Sequence, residues 1–126
     1  MSLQTTTVSL LGRAFLLAAG SALCGSLAVA QEATSLCERY WGVPEVRTKL
    51  RIDCGCVGRY FAQIKADPVD IEVHLRLFAS VYTGKIQEEA DDLRTKFGAE
   101  RYQSALERSR NFLSGMMKDG GCRLGP

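Results

Sequence analysis

Asp67-Pro68-Val69-Asp70-Ile71-Glu72-Val73-His74-Leu75-Arg76-Leu77 is the stretch on which the fold turns. From Val69 to Leu77, apolar and polar residues alternate without a break, the pattern of a half-buried strand. Two features argue for a helix instead. Asp67 followed by Pro68 makes a helix start: the carboxylate can take the first free backbone N–H groups, and proline suits the first turn. Ile71, Leu75, Phe78 and Tyr82 also follow one another at spacings that keep them on one helix face. A strand would need partners, and the only other alternating stretch, Leu50 to Cys56, lies inside a longer helical stripe. A lone hairpin is barely stable. The reading is all-α, a small disulfide-stabilised bundle of about four helices. The alternative is α+β, with a short strand over 69–77.

Toward the N-terminus, Val43, Val46, Leu50, Cys54, Val57, Phe61 and Ile64 recur three or four apart after Pro44, which predicts one long helix. Before it, Ser35-Leu36-Cys37-Glu38 has the spacing of a capping box and predicts a short helix ended by Gly42. Toward the C-terminus, Thr83-Gly84 interrupts the chain, and Ile86, Ala90, Leu93 and Phe97 mark a further helix. Glu88, Glu89, Asp91 and Asp92 lie early in it, and Arg94 and Lys96 late, as the helix dipole favours. Gly98 stops it. Tyr102, Ala105, Leu106, Ser109, Phe112, Leu113 and Met116 form the last helix, ending at Gly120-Gly121.

The first thirty residues read as a signal peptide. Arg13 precedes an apolar run from Ala14 to Leu27, which ends in Ala28-Val29-Ala30, the small-x-small pattern of a cleavage site. The run is short and diluted by Gly and Ser, whereas a spanning helix wants about 20 apolar residues. Cys24 lacks the small residue before it that a lipoprotein signal requires, since Leu23 stands there. Cleavage after Ala30 leaves residues 31–126 as a single helical domain without a stable membrane anchor, in a bacterial periplasm or secreted. Only Arg13 goes with the leader, leaving 15 of the 16 basic residues against all 14 acidic ones. A nucleic-acid partner is not expected from that balance.

A domain this short buries only about two-thirds of its unfolded surface, so the four cysteines beyond the leader, Cys37, Cys54, Cys56 and Cys122, are read as a disulfide framework. Successive helical residues turn by about 100°, so Cys54 and Cys56 point nearly opposite ways and cannot bridge each other without breaking the helix. Each is expected to reach a distant partner, Cys37 or Cys122, in an order the spacing leaves open. A Cys37 bridge to the long helix requires an extended connection, which conflicts with the capping box.

The Cys54-Gly55-Cys56 pair also supports a rival reading as a thiol–disulfide active site, which needs an acidified thiolate at a helix N-terminus or beside a cation. Arg51 and Arg59 are near, but the pair falls in mid-helix on the stripe above. His74, the only histidine, reads as a polar boundary residue, and a single histidine does not make a zinc site. No metal site is expected, including one from Met116, Met117 and His74, nor is any cofactor. The four carboxylates from Glu88 to Asp92 read as a solvated face. Tyr40 and Trp41 are candidate binding residues, since aromatics anchor interfaces, with a core role for Trp41 beside the Cys37 bridge favoured. There is no phosphate loop and no serine nucleophile motif. The expected function is therefore a small exported, non-enzymatic protein-binding module of chaperone, inhibitor or immunity type, with an unidentified protein partner. The alternative is a periplasmic oxidoreductase using Cys54 and Cys56.

Overall fold

The computed structural model describes residues 25–118 and 121–124. Its centre is the helix α4, Pro68–Thr83. The start works as the sequence implies: the Asp67 carboxylate accepts from the backbone N–H of Val69 at 2.8 Å, and Pro68 takes the first position. It ends at Gly84, whose left-handed φ of 73° suits glycine, with its N–H on the Ser80 carbonyl.

The alternation in α4 has a helical cause. Val69, Val73 and Leu77 form one ridge at spacing four; Ile71, Leu75 and Ala79 form a second, offset by two residues and so about 200° around the axis. Each ridge meets its own half of the core. The first packs with Ala90, Leu93, Tyr102 and Ala105, the second with Ala33, Trp41, Val57, Phe61, Phe112 and Met116. Every residue from Val69 to Arg76 is buried. Two opposed i,i+4 ridges on a central helix therefore reproduce the period of a strand. Among the described residues there is no strand, so the 69–77 alternative fails.

Six further helices surround α4. They are α1 (25–41), α2 (Pro44–Leu50), α3 (Cys54–Gln63), α5 (Ile86–Phe97), α6 (Ala99–Arg108) and α7 (Phe112–Lys118), with a 3-10 turn, Ser109–Asn111, joining the last two. The architecture is all-α, cut into shorter pieces than the stripes implied. Three expectations are corrected. The capping box at Ser35 is absent, because α1 runs unbroken from 25 to 41 and Ser35 lies inside it. The long helix over 43–64 is two helices, separated where Arg51 adopts a left-handed φ of 49° and Asp53 caps a new start. The last helix bends through the 3-10 turn at Ser109.

The expected cleavage point, Ala28-Val29-Ala30, falls within α1; Val29 packs against the core and the Thr34 hydroxyl donates to the Ala30 carbonyl at 2.7 Å. Residues 1–24 of the leader, including Cys24, lie outside the described residues. The tail runs antiparallel beside the α2–α3 break: Asp53 N–H donates to Cys122 O at 2.9 Å and Leu124 N–H to Arg51 O at 2.7 Å.

Candidate functional site

The C-G-C turn is set by its own cap. The Asp53 carboxylate accepts from the N–H groups of Gly55 at 3.0 Å and Cys56 at 3.4 Å, which starts α3 at Cys54. Cys54 and Cys56 thus occupy the first helical turn and not mid-helix, correcting the sequence reading. Two residues apart on that turn, they point to different neighbours. Cys54 bonds Cys37 of α1 (Cα–Cα 5.5 Å), and Cys56 bonds Cys122 of the tail (Cα–Cα 5.3 Å). With α1 continuous, Cys37 sits one turn before its end, and short α2 brings Cys54 back to it, which removes the conflict over the connection. In both bridges the distal sulfur is buried and the one on α3 is half-buried.

An open cleft of about 400 Å³ borders Cys54, with Glu38, Arg47, Asp53 and Leu124 in its lining. A helix N-terminus favours thiolate over thiol. Here the cap works against that, because the Asp53 carboxylate already takes two of the free N–H groups and sets a negative charge beside the sulfurs.

Trp41 is 3% exposed and its indole N–H donates to the Leu75 carbonyl at 2.8 Å, so it closes the core between α1 and α4. Tyr40 is half-buried under the Arg76 guanidinium, which lies 5.5 Å from the ring centre. His74 is not at a boundary. It is 9% exposed, among Trp41, Phe78 and Phe112 with ring centroids 5.5–5.9 Å away. Burial lowers its pKa to about 4, and its Nε2 has no hydrogen-bond partner among the described residues. Met116 is buried in the core beside Phe112. Among the described residues no three His, Cys, Asp or Glu side chains converge as metal ligands do.

Part of the acidic face of α5 is structural. Arg76, buried on α4, donates to Glu89 at 2.7 Å, to Glu72 at 3.2 Å and to Asp92 at 3.3 Å, while Lys96 reaches Glu72 at 2.7 Å. Asp70 is gripped by both prongs of Arg108, at 2.7 and 2.9 Å. Apart from the i,i+4 pair Arg76–Glu72, these pairs cross between helices 13 to 38 residues apart in sequence, so no local pattern announces them.

The other open feature is a groove of about 330 Å³ between α4 and the α6–α7 bend. Val73, Leu77, Phe78 and Val81 form one wall, Leu106 and Leu113 face them, and His74 and Arg110 complete the lining. Val81 is 59% exposed; outside the groove, Tyr82 of α4 and Ile86 of α5 are exposed too. The sequence reading did not single out this groove. Its signal was present in α4, which carries more apolar residues than one face needs, as a helix buried all round does; beyond Ala79, Val81 and Tyr82 are left exposed.

Comparison of the chain with protein-family models, with curated proteins and with solved structures found no match.

Proposed function

We propose that this protein is an exported, non-catalytic module that binds another protein through the α4/α6–α7 groove. The observation that carries the reading is Val81, exposed in the lining of a groove already shaped by two apolar walls, with the partly exposed Tyr82 ring beside Phe78 of the same helix. A contiguous apolar patch rimmed by polar residues is the usual mark of an interaction surface. Export is part of the proposal. Two disulfides suit an oxidising compartment, and no helix among the described residues is long and apolar enough to cross a membrane. We place the protein in a bacterial periplasm or outside the cell, with the leader removed after Ala30.

The test is comparative capture from the native envelope with the wild-type protein and with Val81→Asp, which alters an exposed position. A partner retained by the first and lost by the second is the expected result. Equal capture by both would end the groove reading.

A second reading, thiol–disulfide exchange, is favoured by one observation: Cys54 and Cys56 lie at a helix N-terminus. Equilibration with glutathione decides it. Structural bridges resist reduction below about −300 mV, and catalytic ones sit nearer −120 to −270 mV. A labile bridge, lost in Cys56→Ser without unfolding, would displace the binding reading.

A further inference from the structure

A cavity of about 150 Å³ lies between α1, α4 and the start of α5, on another face of α4 from the groove and sharing no residue with it. Its polar lining consists almost wholly of donors. Arg39 and Tyr40 come from α1, Arg76 and Thr83 from α4, and Lys85 from the turn before α5. The one carboxylate in the lining, Glu89, already accepts from Arg76, and the Ser80 hydroxyl is donated to the Leu77 carbonyl.

Arg76 sets this cavity apart from the exposed basic residues of the surface. Its side chain is buried, and a guanidinium carries five N–H groups. Glu89, Glu72 and Asp92 take three of them. The other two have no acceptor among the described residues, and neither do the hydroxyls of Tyr40 and Thr83. Buried donors are seldom left so. Charge points the same way. With the lining and the ion-pair partners of Arg76 and Glu72 taken together, Arg39, Arg76, Lys85 and Lys96 face Glu72, Glu89 and Asp92, an excess of one positive charge. What completes such a set is an acceptor bearing a single negative charge. Size narrows it further. At about 30 Å³ per water the cavity holds about five waters, well short of the roughly 300 Å³ or more of a site for a drug-sized ligand. Val43 and Ala79 supply the apolar part of the lining.

We propose that this cavity binds a small monocarboxylate, its oxygens accepting from Arg76 and from the flanking Tyr40, Arg39 and Lys85, and its short carbon chain lying on Val43 and Ala79. A planar carboxylate matches a guanidinium edge, and a hydrogen bond with both partners charged is among the stronger kinds. The site is independent of the protein-binding groove.

The test titrates the disulfide-intact protein with butyrate, with its neutral isostere butyramide and with inorganic phosphate, at constant ionic strength, and maps binding by NMR. Butyrate is expected to saturate, shifting the signals of Tyr40, Val43, Ala79 and Thr83. Butyramide is expected to bind at least about tenfold more weakly, since it forfeits the charge on the hydrogen bonds. Arg39 and Lys85 are exposed, so Arg39→Gln and Lys85→Gln should keep the ligand-free melting curve of the wild type. Each should weaken butyrate about two- to fivefold, the contribution of one charge at an exposed site. Tyr40→Phe, which removes only the hydroxyl, should weaken it as well. Shifts that never saturate, equal affinity for butyramide, or indifference to both glutamine variants each overturn the site. Tighter binding of phosphate than of butyrate overturns the monocarboxylate assignment. Butyrate shifts centred on Val81 and Leu113 would place the ligand in the groove and overturn the proposal as well. None of these results bears on the capture experiment with Val81→Asp, whose failure in turn leaves this site standing.

Discussion

Gly58 lies where α3 packs on α1, and its missing side chain is why the two helices approach so closely. A methyl group built there falls well inside contact distance of both the Thr34 hydroxyl and the Ala30 carbonyl oxygen. Thr34 does not give way freely, because that hydroxyl is donated to the same carbonyl. One of the two obstacles is backbone, so Gly58→Ala forces the helices apart and loosens Val57 and Phe61, fully buried next to it. Overpacking of this sort costs about 1–3 kcal/mol, and a helix bridged to its neighbour by Cys37–Cys54 belongs at the upper end. Alanine recovers about 1 kcal/mol of helix propensity over glycine. In a chain that retains Ala30 the net is a destabilisation of about 2 kcal/mol, or roughly 8–15 °C in melting temperature for a chain of this size. Thermal unfolding by circular dichroism with the disulfides intact measures it. Adding Thr34→Ala should restore part of the loss in a chain that retains Ala30, and nearly all of it in one that begins at Gln31. A Gly58→Ala variant that melts at the wild-type temperature or above would show that α1 does not pack on α3 at this residue.

Arg76→Met should destabilise by about 3 kcal/mol, because it strands the half-buried Glu89 and leaves the buried Glu72 with only the exposed Lys96; denaturant titration reads this, and a loss under 1 kcal/mol would mean the network is solvated. Removing the Cys56–Cys122 bridge, which closes 66 residues, should cost about 4 kcal/mol against about 3 for the 17-residue Cys37–Cys54 closure. Paired serine variants at each bridge give the order, and the reverse order would point to strain or residual structure outweighing loop entropy. His74 should make stability depend on pH. With a folded pKa of about 4 against an ordinary 6.5, the unfolded chain binds the extra proton between those values. Stability is thus full above about pH 6.5 and falls as pH drops toward 4, by up to about 3 kcal/mol. The slope should be shallower in His74→Phe; an equal slope in both proteins would show that it does not come from His74.

How far the fold was legible depended on whether the deciding interaction was local. Asp67-Pro68 named the start of α4 because a cap involves adjacent residues only. The alternation of Val69 to Leu77 was misleading for a geometric reason: two i,i+4 ridges set two residues apart share the arithmetic of a strand, and only a core on both sides distinguishes them. Ser35 carried the letters of a capping box, but a helix already running from residue 25 leaves no free N–H groups there to cap. The stripe from Val43 to Ile64 stayed in phase across a break, because the left-handed turn at Arg51 re-aims the chain without spoiling the apolar count. Asp53 was the available signal for that break, an aspartate directly before Cys54 in a place where a continuous helix has no use for it.

The groove was harder to read, since it is made by what does not pack. Around α4, the ridge of Val69, Val73 and Leu77 and the ridge of Ile71, Leu75 and Ala79 each find half of the core. The seam of Glu72 and Arg76 is closed by Glu89, Asp92 and Lys96. That leaves the stripe of Asp70, His74 and Phe78. Asp70 is matched by Arg108, but past it His74 and Phe78 line a trough whose lining also holds Leu106 and Leu113, either side of the 3-10 turn at Ser109–Asn111. Leaving a buried ring nitrogen unpaired costs about 1–3 kcal/mol, and leaving Val81 in water forgoes up to about 1.5 kcal/mol more. A domain held together by two bridges and a divided core has little stability to forgo. Of these two costs the one at Val81 is open to recovery, because that side chain is exposed in the lining of the trough, where a bound partner would cover it.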